Sequence, residues 1–183
     1  GTASVNPEPD YGNILQMLLH LAIFPAVEEI VTVSEAMADL VKKACPSVNG
    51  NSLTIVPNGV DCSKFLPSRE NKQKNVILVL SRLDGDRTPP IMDLLKLLQP
   101  TKFELHIAGD GSGKSKLEVQ VQAMGMGDRV KFLGFIYDPS SLLSQYAYVA
   151  ANGRSFLEAA ASGCVCLLLW KDFPNTCTCL LSL

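Results

Sequence analysis

Histidine is nearly missing from this chain: His20 and His106 are its only two among 183 residues. That disfavours a multi-histidine metal centre, and no serine–histidine–aspartate set can be placed. Long apolar runs are missing too. The longest, Leu15 to Val27, contains His20 and Pro25 and falls short of the roughly 20 residues a membrane helix needs. Gly1 to Asp10 has no basic stretch followed by an apolar core, so no signal peptide is read there. The cytoplasm is the expected compartment, with a membrane surface as the alternative. Lysine and arginine total 16 against 18 aspartates and glutamates, with no basic run, which argues against a nucleic-acid surface. No Gly-x-Gly-x-x-Gly opens the first βαβ unit, as a nucleotide-binding dehydrogenase requires.

What remains is ordinary globular composition, 47% hydrophobic and 19% charged, long enough for one domain with a real core. The six cysteines include two Cys-x-Cys pairs, Cys164/Cys166 and Cys177/Cys179. Zinc sites usually space their ligands more widely. Cys164 and Cys166 alternate inside an apolar run and face one side of a strand. Reduced thiols are the main reading, with a metal site or a disulfide as alternatives.

Periodicity predicts a helix over Tyr11–Phe24, then a strand at Ile30–Val33. Ser34 caps a helix at Glu35–Ala44. Further strands are expected at Leu53–Val56, Val76–Leu80, Phe103–Ala108, Val130–Leu133, Tyr148–Ala151 and, last, Cys164–Leu169. Between them lie helices at Ile91–Leu98, Lys114–Met124, Ser140–Tyr146 and Phe156–Ala161, with Ser63–Asn75 as a polar surface linker. The fold class expected is α/β, a Rossmann-like doubly wound and mostly parallel sheet. Residues 28–170 form that domain, 1–27 an N-terminal helical segment and 171–183 an atypical tail.

Ligands of such sheets bind beyond the carboxyl ends of the strands. Three loops belong there: Ser81–Arg87, Gly109–Gly113 and Ala151–Ser155. The first carries Arg82 and Arg87, which suit phosphate oxygens or simply pair with Asp84 and Asp86. In the second, Gly109 and Gly111 let backbone approach a ligand closely. A Walker phosphate loop ending at Gly113-Lys114-Ser115 needs glycine at position 108, where Ala108 stands. The third begins a run from Asn152 to Gly163 that reads Asn-Gly-Arg-Ser-Phe-Leu-Glu-Ala-Ala-Ala-Ser-Gly. Its Gly153, Arg154 and Ser155 open a helix, either as a simple cap or as an anion site. Glu158 follows one turn in and can accept two hydrogen bonds from a sugar diol. Anion and diol together suggest a nucleotide.

Six segments, in order, resemble the C-terminal, donor-binding half of a GT-B glycosyltransferase, of the large retaining family called glycosyl transferases group 1. They are Val31–Ser34; Ile55–Asp61 with Phe65 and Pro67; Leu80–Leu83; Ile107–Gly111; Asp128–Gly134; and Gly153–Gly163. The resemblance implies that Arg82 and Arg87 hold the donor diphosphate, although the family usually has lysine at the second position. It implies that Glu158 binds the nucleotide ribose and that Gly153 to Ser155 face the phosphates or the donor sugar. It implies hexosyl transfer with retention, from a nucleoside-diphosphate sugar to a carbohydrate or glycolipid acceptor, with neither metal nor other cofactor. Many members also carry a donor-sugar glutamate eight positions before the ribose one, and Ala150 stands there. A GT-B enzyme needs an N-terminal acceptor domain as well, so this chain is expected to be an inactive fragment on its own. A degenerate, non-catalytic GT-B-like binding module is the alternative.

Overall fold

The computed structural model describes residues 28–44, 53–68, 72–170 and 179–180. The chain divides into two compact units, residues 1–59 and 60–183. The expected N-terminal helix at Tyr11–Phe24 lies outside the described residues, as does most of the tail.

In the first unit β1 (Ile30–Thr32) pairs in parallel with β2 (Leu53–Ile55), and α1 (Glu35–Ala44) contacts both. Ser34 does cap α1: its Oγ accepts from the Met37 N–H at 3.3 Å.

The second unit holds a sheet of six strands. They are β3 (Gln73–Leu80), β4 (Glu104–Ala108), β5 (Val130–Gly134), β6 (Tyr146–Ala151), β7 (Val165–Leu168) and β8 (Cys179–Leu180). Their spatial order is β5-β4-β3-β6-β7-β8, with only the last pair antiparallel. The doubly wound, mostly parallel reading stands. The helices are α2 (Thr88–Leu98), α3 (Lys114–Ala123), α4 (Ser140–Leu143) and α5 (Gly153–Ala161).

The unbroken apolar end of β3 has a packing cause. Ile77 and Val79 enter the cluster built with α2 and α3, through Leu94, Leu95, Leu117 and Val121. Val76, Leu78 and Leu80 enter the opposite cluster, with Phe65, Phe156 and Ala159. Both faces are covered, so no polar alternation survives. Cys164 and Cys166 share that second cluster and are free thiols, as is exposed Cys62. Burial, reinforced by neighbouring Cys164, pushes the Cys166 thiol up to about 12, so it stays protonated in the core.

Among the differences from expectation, four have a local cause. First, α2 starts at Thr88 rather than Ile91, because Pro89 and Pro90 occupy its first turn, where their missing N–H groups cost nothing. Second, β3 absorbs Gln73 to Asn75 from the expected linker. Third, the helix at Ser140 stops at Leu143, since Tyr146 already belongs to β6. Fourth, β7 is not the last strand: β8 follows on its far edge, with Leu167 opposite Cys179. That two-residue strand has no periodicity to betray it.

His106, mid-strand in β4, is buried, and its Nδ1 lies 2.7 Å from the Tyr146 hydroxyl. Burial lowers its pKa below the ordinary 6.5; Lys131 adds to this and Glu104 opposes it. The folded state therefore holds His106 neutral, while the unfolded chain takes up a proton as pH falls through about 6.5. This contribution to stability is present above that pH and is lost below it. Urea unfolding of wild type and His106→Gln at pH 7.5 and 5.5 checks it: the acid loss in the variant is expected to be the smaller. Equal losses would assign the acid sensitivity to other groups.

Candidate functional site

The winding of the sheet reverses at β3. Strands β4 and β5 lie on one side of it, β6 and β7 on the other. The crevice of such a sheet opens where the order reverses, at the carboxyl ends. Leu80 closes β3 opposite both Ala108 of β4 and Ala151 of β6. Ser81, Gly109 and Asn152 therefore leave three neighbouring strands at one level. This is the local reason the three loops converge.

The first two loops are bound to each other by main chain. Ser81 N donates to Ala108 O at 3.2 Å, Leu83 N to Asp110 O at 3.0 Å, and Gly113 N to Leu83 O at 2.7 Å. Asp84 Oδ1 accepts from the Ser112 N–H at 2.9 Å and from its hydroxyl at 3.3 Å. Gly109 has φ +148°, and a Cβ built there would overlap the Ser81 carbonyl oxygen. Gly111 has φ +154°, and its Cβ would stand 2.5 Å from Asp84 Oδ1. Both positions need glycine for close packing between loops as well as for conformation. Asp84 is thus engaged with Ser112. Arg87 Nε lies 3.6 Å from Oδ2 of Asp86, whose side chain is 82% exposed, a surface pair of small energetic weight. Arg82 is exposed.

The third loop is shorter than expected. Strand β6 runs to Ala151 and α5 begins at Gly153, so Asn152 alone connects them. Asn152 is extended, and Gly153 at φ +55° turns the chain into the helix. Asn152 makes no side-chain capping bond, so the first-turn N–H groups of Gly153, Arg154 and Ser155 remain open to a ligand. Glu158 is buried, with Oε1 3.4 Å from Nη2 of Arg154, whose side chain is 73% exposed. Ser155 and Glu158, three apart, are neighbours along one face of α5.

Two of the clefts on this rim are lined by Ser81. One, of about 160 Å³, gathers Arg82, Gly109, Asp110, Phe135, Ile136 and Ser155. The other, of about 80 Å³, is lined by Asp86, Arg87, Asn152 and Trp170 over Pro90 and Leu169. The structure thus brings Arg82, Gly109 and Ser155 together and sets Arg87 in the adjoining cleft. Gly111, Gly153, Arg154 and Glu158 line neither: Gly111 supports the loop pair, and the other three lie along α5.

The sequence profile of the family described as glycosyl transferases group 1 matches residues 63–170. The chain belongs to the glycosyl transferases group 1 family. Three solved structures show the same fold. HepE of Anabaena in complex with UDP has TM-score 0.70 and 19% identity, over 90% of this chain and 50% of that one. A glycosyltransferase from Rickettsia africae ESF-5 has TM-score 0.69 and 15% identity, over 90% and 49%. The lipopolysaccharide outer core galactosyltransferase WaaB, apo form, has TM-score 0.62 and 21% identity, over 81% and 45%. No curated protein sequence matches. The chain spans about half the length of these structures and has the Rossmann-like fold of one half of a GT-B architecture.

Membership sharpens one departure. Position 150, where many members have a donor-sugar glutamate counting back from Glu158, is a fully buried residue of β6, between Val79 and Leu167. The count lands inside the sheet because the connection from β6 to α5 is a single residue. A glutamate at 150 would enter the core rather than the cleft, so Ala150 is not a rim residue that lost its carboxylate. Motif reasoning set Ser81 and Asn152 in the rim loops without a role of their own and did not single out Phe135, Ile136 or Trp170. Ser81 and Asn152 were visible as the first residues after two strands. Trp170, ending an apolar run, looked like core and is instead 48% exposed.

Proposed function

We propose that this domain binds the nucleoside-diphosphate sugar of a retaining glycosyl transfer. One observation carries the reading: Arg82 and Gly109, from two loops, and Ser155, from the first turn of α5, line one cleft at an uncapped helix N-terminus. A permanent cation, close main chain and unpaired N–H groups together suit a diphosphate. Arg82 and Arg87 take its two phosphates from adjoining clefts, and Arg87 keeps the charge of the family's usual lysine. The N–H groups of Gly153, Arg154 and Ser155 complete the anion site. Gly109 and Gly111 hold the loops close enough for main chain to face the ligand. Glu158 takes the ribose diol.

Catalysis on this reading is electrostatic. The arginines and the helix dipole stabilise the departing nucleoside diphosphate, without a metal or other cofactor in the step. The sugar passes to a carbohydrate or glycolipid acceptor with its anomeric configuration kept. Turnover requires an acceptor-binding domain facing the rim. The free thiols Cys62, Cys164 and Cys166 support a reducing compartment, the cytoplasm or the cytoplasmic face of a membrane. No helix among the described residues is long and apolar enough to cross a membrane.

UDP is the first nucleotide to test, since HepE is solved with it. Calorimetric titration with UDP, GDP and ADP is expected to show binding of one of them at micromolar to millimolar affinity. Arg82→Ala and Glu158→Ala are each expected to weaken it about tenfold to a hundredfold, by loss of charge-assisted hydrogen bonds. Both variants should keep the wild-type melting temperature within a few degrees. Wild-type affinity in both would remove these residues from the site. A second reading has its own support in the single-residue connection between β6 and α5, which leaves no loop for a donor-sugar glutamate. It makes the domain a non-catalytic binding module. A folded chain that binds no nucleotide would favour it.

A further inference from the structure

We propose that the cleft between Arg87 and Trp170 is the sugar subsite, and that Trp170 is its specificity-determining platform. The inference rests on the donor-binding reading and adds to it where the transferred sugar sits. The two rim clefts share Ser81 at the end of β3. The α5 entrance borders both, through Asn152 in one and Ser155 in the other. A diphosphate on that helix terminus has one substituent directed to each cleft.

The walls differ in chemistry. Phe135 and Ile136 give the first cleft an apolar wall with main chain and Arg82 beside it, which suits a flat nucleobase. The second brings half-exposed Trp170 together with hydrogen-bonding groups: Asp86, Asn152 and Ser81, beside Arg87. A hexose needs that combination. Its C–H face packs on an indole, while its equatorial hydroxyls pair with carboxylate, amide and hydroxyl at the edge, and Arg87 is left to the phosphate. Leu169 and Pro90 close the floor, so the ring is held at the edge and face rather than swallowed. Trp170 ends the β7 segment, whose Leu169 N–H still donates to Ala151 O at 2.9 Å, so the platform stands on the sheet itself.

Trp170 is the sole tryptophan of the chain, and its emission reports this cleft alone. The test titrates the whole chain with UDP and GDP, then with UDP-glucose, UDP-galactose, UDP-N-acetylglucosamine and GDP-mannose, following emission and heat together. The nucleotide alone is expected to leave the emission near its free value, while a sugar conjugate of it shifts or quenches the signal. Trp170→Ala is expected to raise the Kd of that conjugate about tenfold and to leave the Kd of the nucleotide within about twofold. Trp170→Phe should recover most of the loss. Emission that no conjugate moves, in a chain whose heats record nucleotide binding, overturns the sugar subsite and leaves the donor reading intact. An equal loss for nucleotide and conjugate in Trp170→Ala overturns it too, by making the indole merely structural. Absence of any nucleotide binding removes the donor reading, and this inference with it.

Discussion

Gly109→Ala is expected to cost about 3 kcal/mol or more of unfolding free energy, because two penalties coincide at one atom. The residue sits at φ +148°, a region only glycine enters freely. Independently, the new Cβ would overlap the Ser81 carbonyl oxygen, which belongs to backbone and has nowhere to rotate. That carbonyl lies at the end of β3, the strand buried on both faces, so relief requires moving the centre of the sheet. In a unit of this size the loss corresponds to a fall in melting temperature of about 10 °C. Two companions calibrate it. Gly111→Ala meets Asp84 Oδ1 at 2.5 Å, which can turn aside at the expense of its bonds to Ser112, and the Leu83 carbonyl carbon at 2.7 Å, which is backbone; both overlaps are looser than the one at Gly109. Gly153→Ala, at φ +55° with nothing within 4 Å, carries only the conformational penalty of about 1–2 kcal/mol. Thermal melts should therefore rank the losses Gly109, then Gly111, then Gly153. A Gly109→Ala protein melting within a few degrees of wild type would show that the first two loops are not packed as described.

That ranking bears on how much was legible in the sequence. The strands with apolar runs were readable because their side chains feed two clusters, and burial on both faces leaves a plain signature. The convergence of three loops followed from the alternation of strand and helix alone. What sequence did not show was distance. Gly109 and Gly111 were singled out as openings for a ligand, yet much of their role is to let one loop lie on the next. The helix motif suggested a glycine-rich turn of several residues before α5, and the structure has one residue there, Asn152. Ala150, eight positions before Glu158, lies inside the strand expected at Tyr148–Ala151, and the structure keeps it there. The short strand β8 and the proline-led start of α2 were missed for a shared reason. Both are decided by tertiary partners, the edge of β7 in one case and a first turn that needs no N–H in the other. Trp170 was missed because an apolar run reads the same whether its last residue faces the core or a cleft.

Leu83→Ala is the second large effect, and it separates a residue that positions the site from residues that touch the ligand. Leu83 lies between Arg82 and Asp84 and is fully buried. Its side chain joins the cluster of Ile91, Leu95 and Leu117 beneath the loops. Its main chain is used at both ends, donating to Asp110 O at 3.0 Å and accepting from Gly113 N at 2.7 Å. Truncation to alanine removes about three carbons from a packed interior and leaves a cavity, which costs about 3 kcal/mol in sites of this kind. Urea unfolding should register that loss as a lower midpoint with an unchanged slope. Arg82→Ala, one residue away and exposed, should leave the midpoint in place while nucleotide affinity falls. In Leu83→Ala the affinity should fall as well, since the loop carrying both arginines loses its anchor, but part of it should return when the protein is stabilised by an osmolyte. Arg82→Ala has no such recovery, because no folding equilibrium restores a missing charge. If Leu83→Ala destabilises the domain yet binds nucleotide as wild type does under folding conditions, the anchoring of Arg82 and Arg87 does not depend on the leucine side chain. The main-chain bonds to Asp110 and Gly113 are then enough to hold the loop.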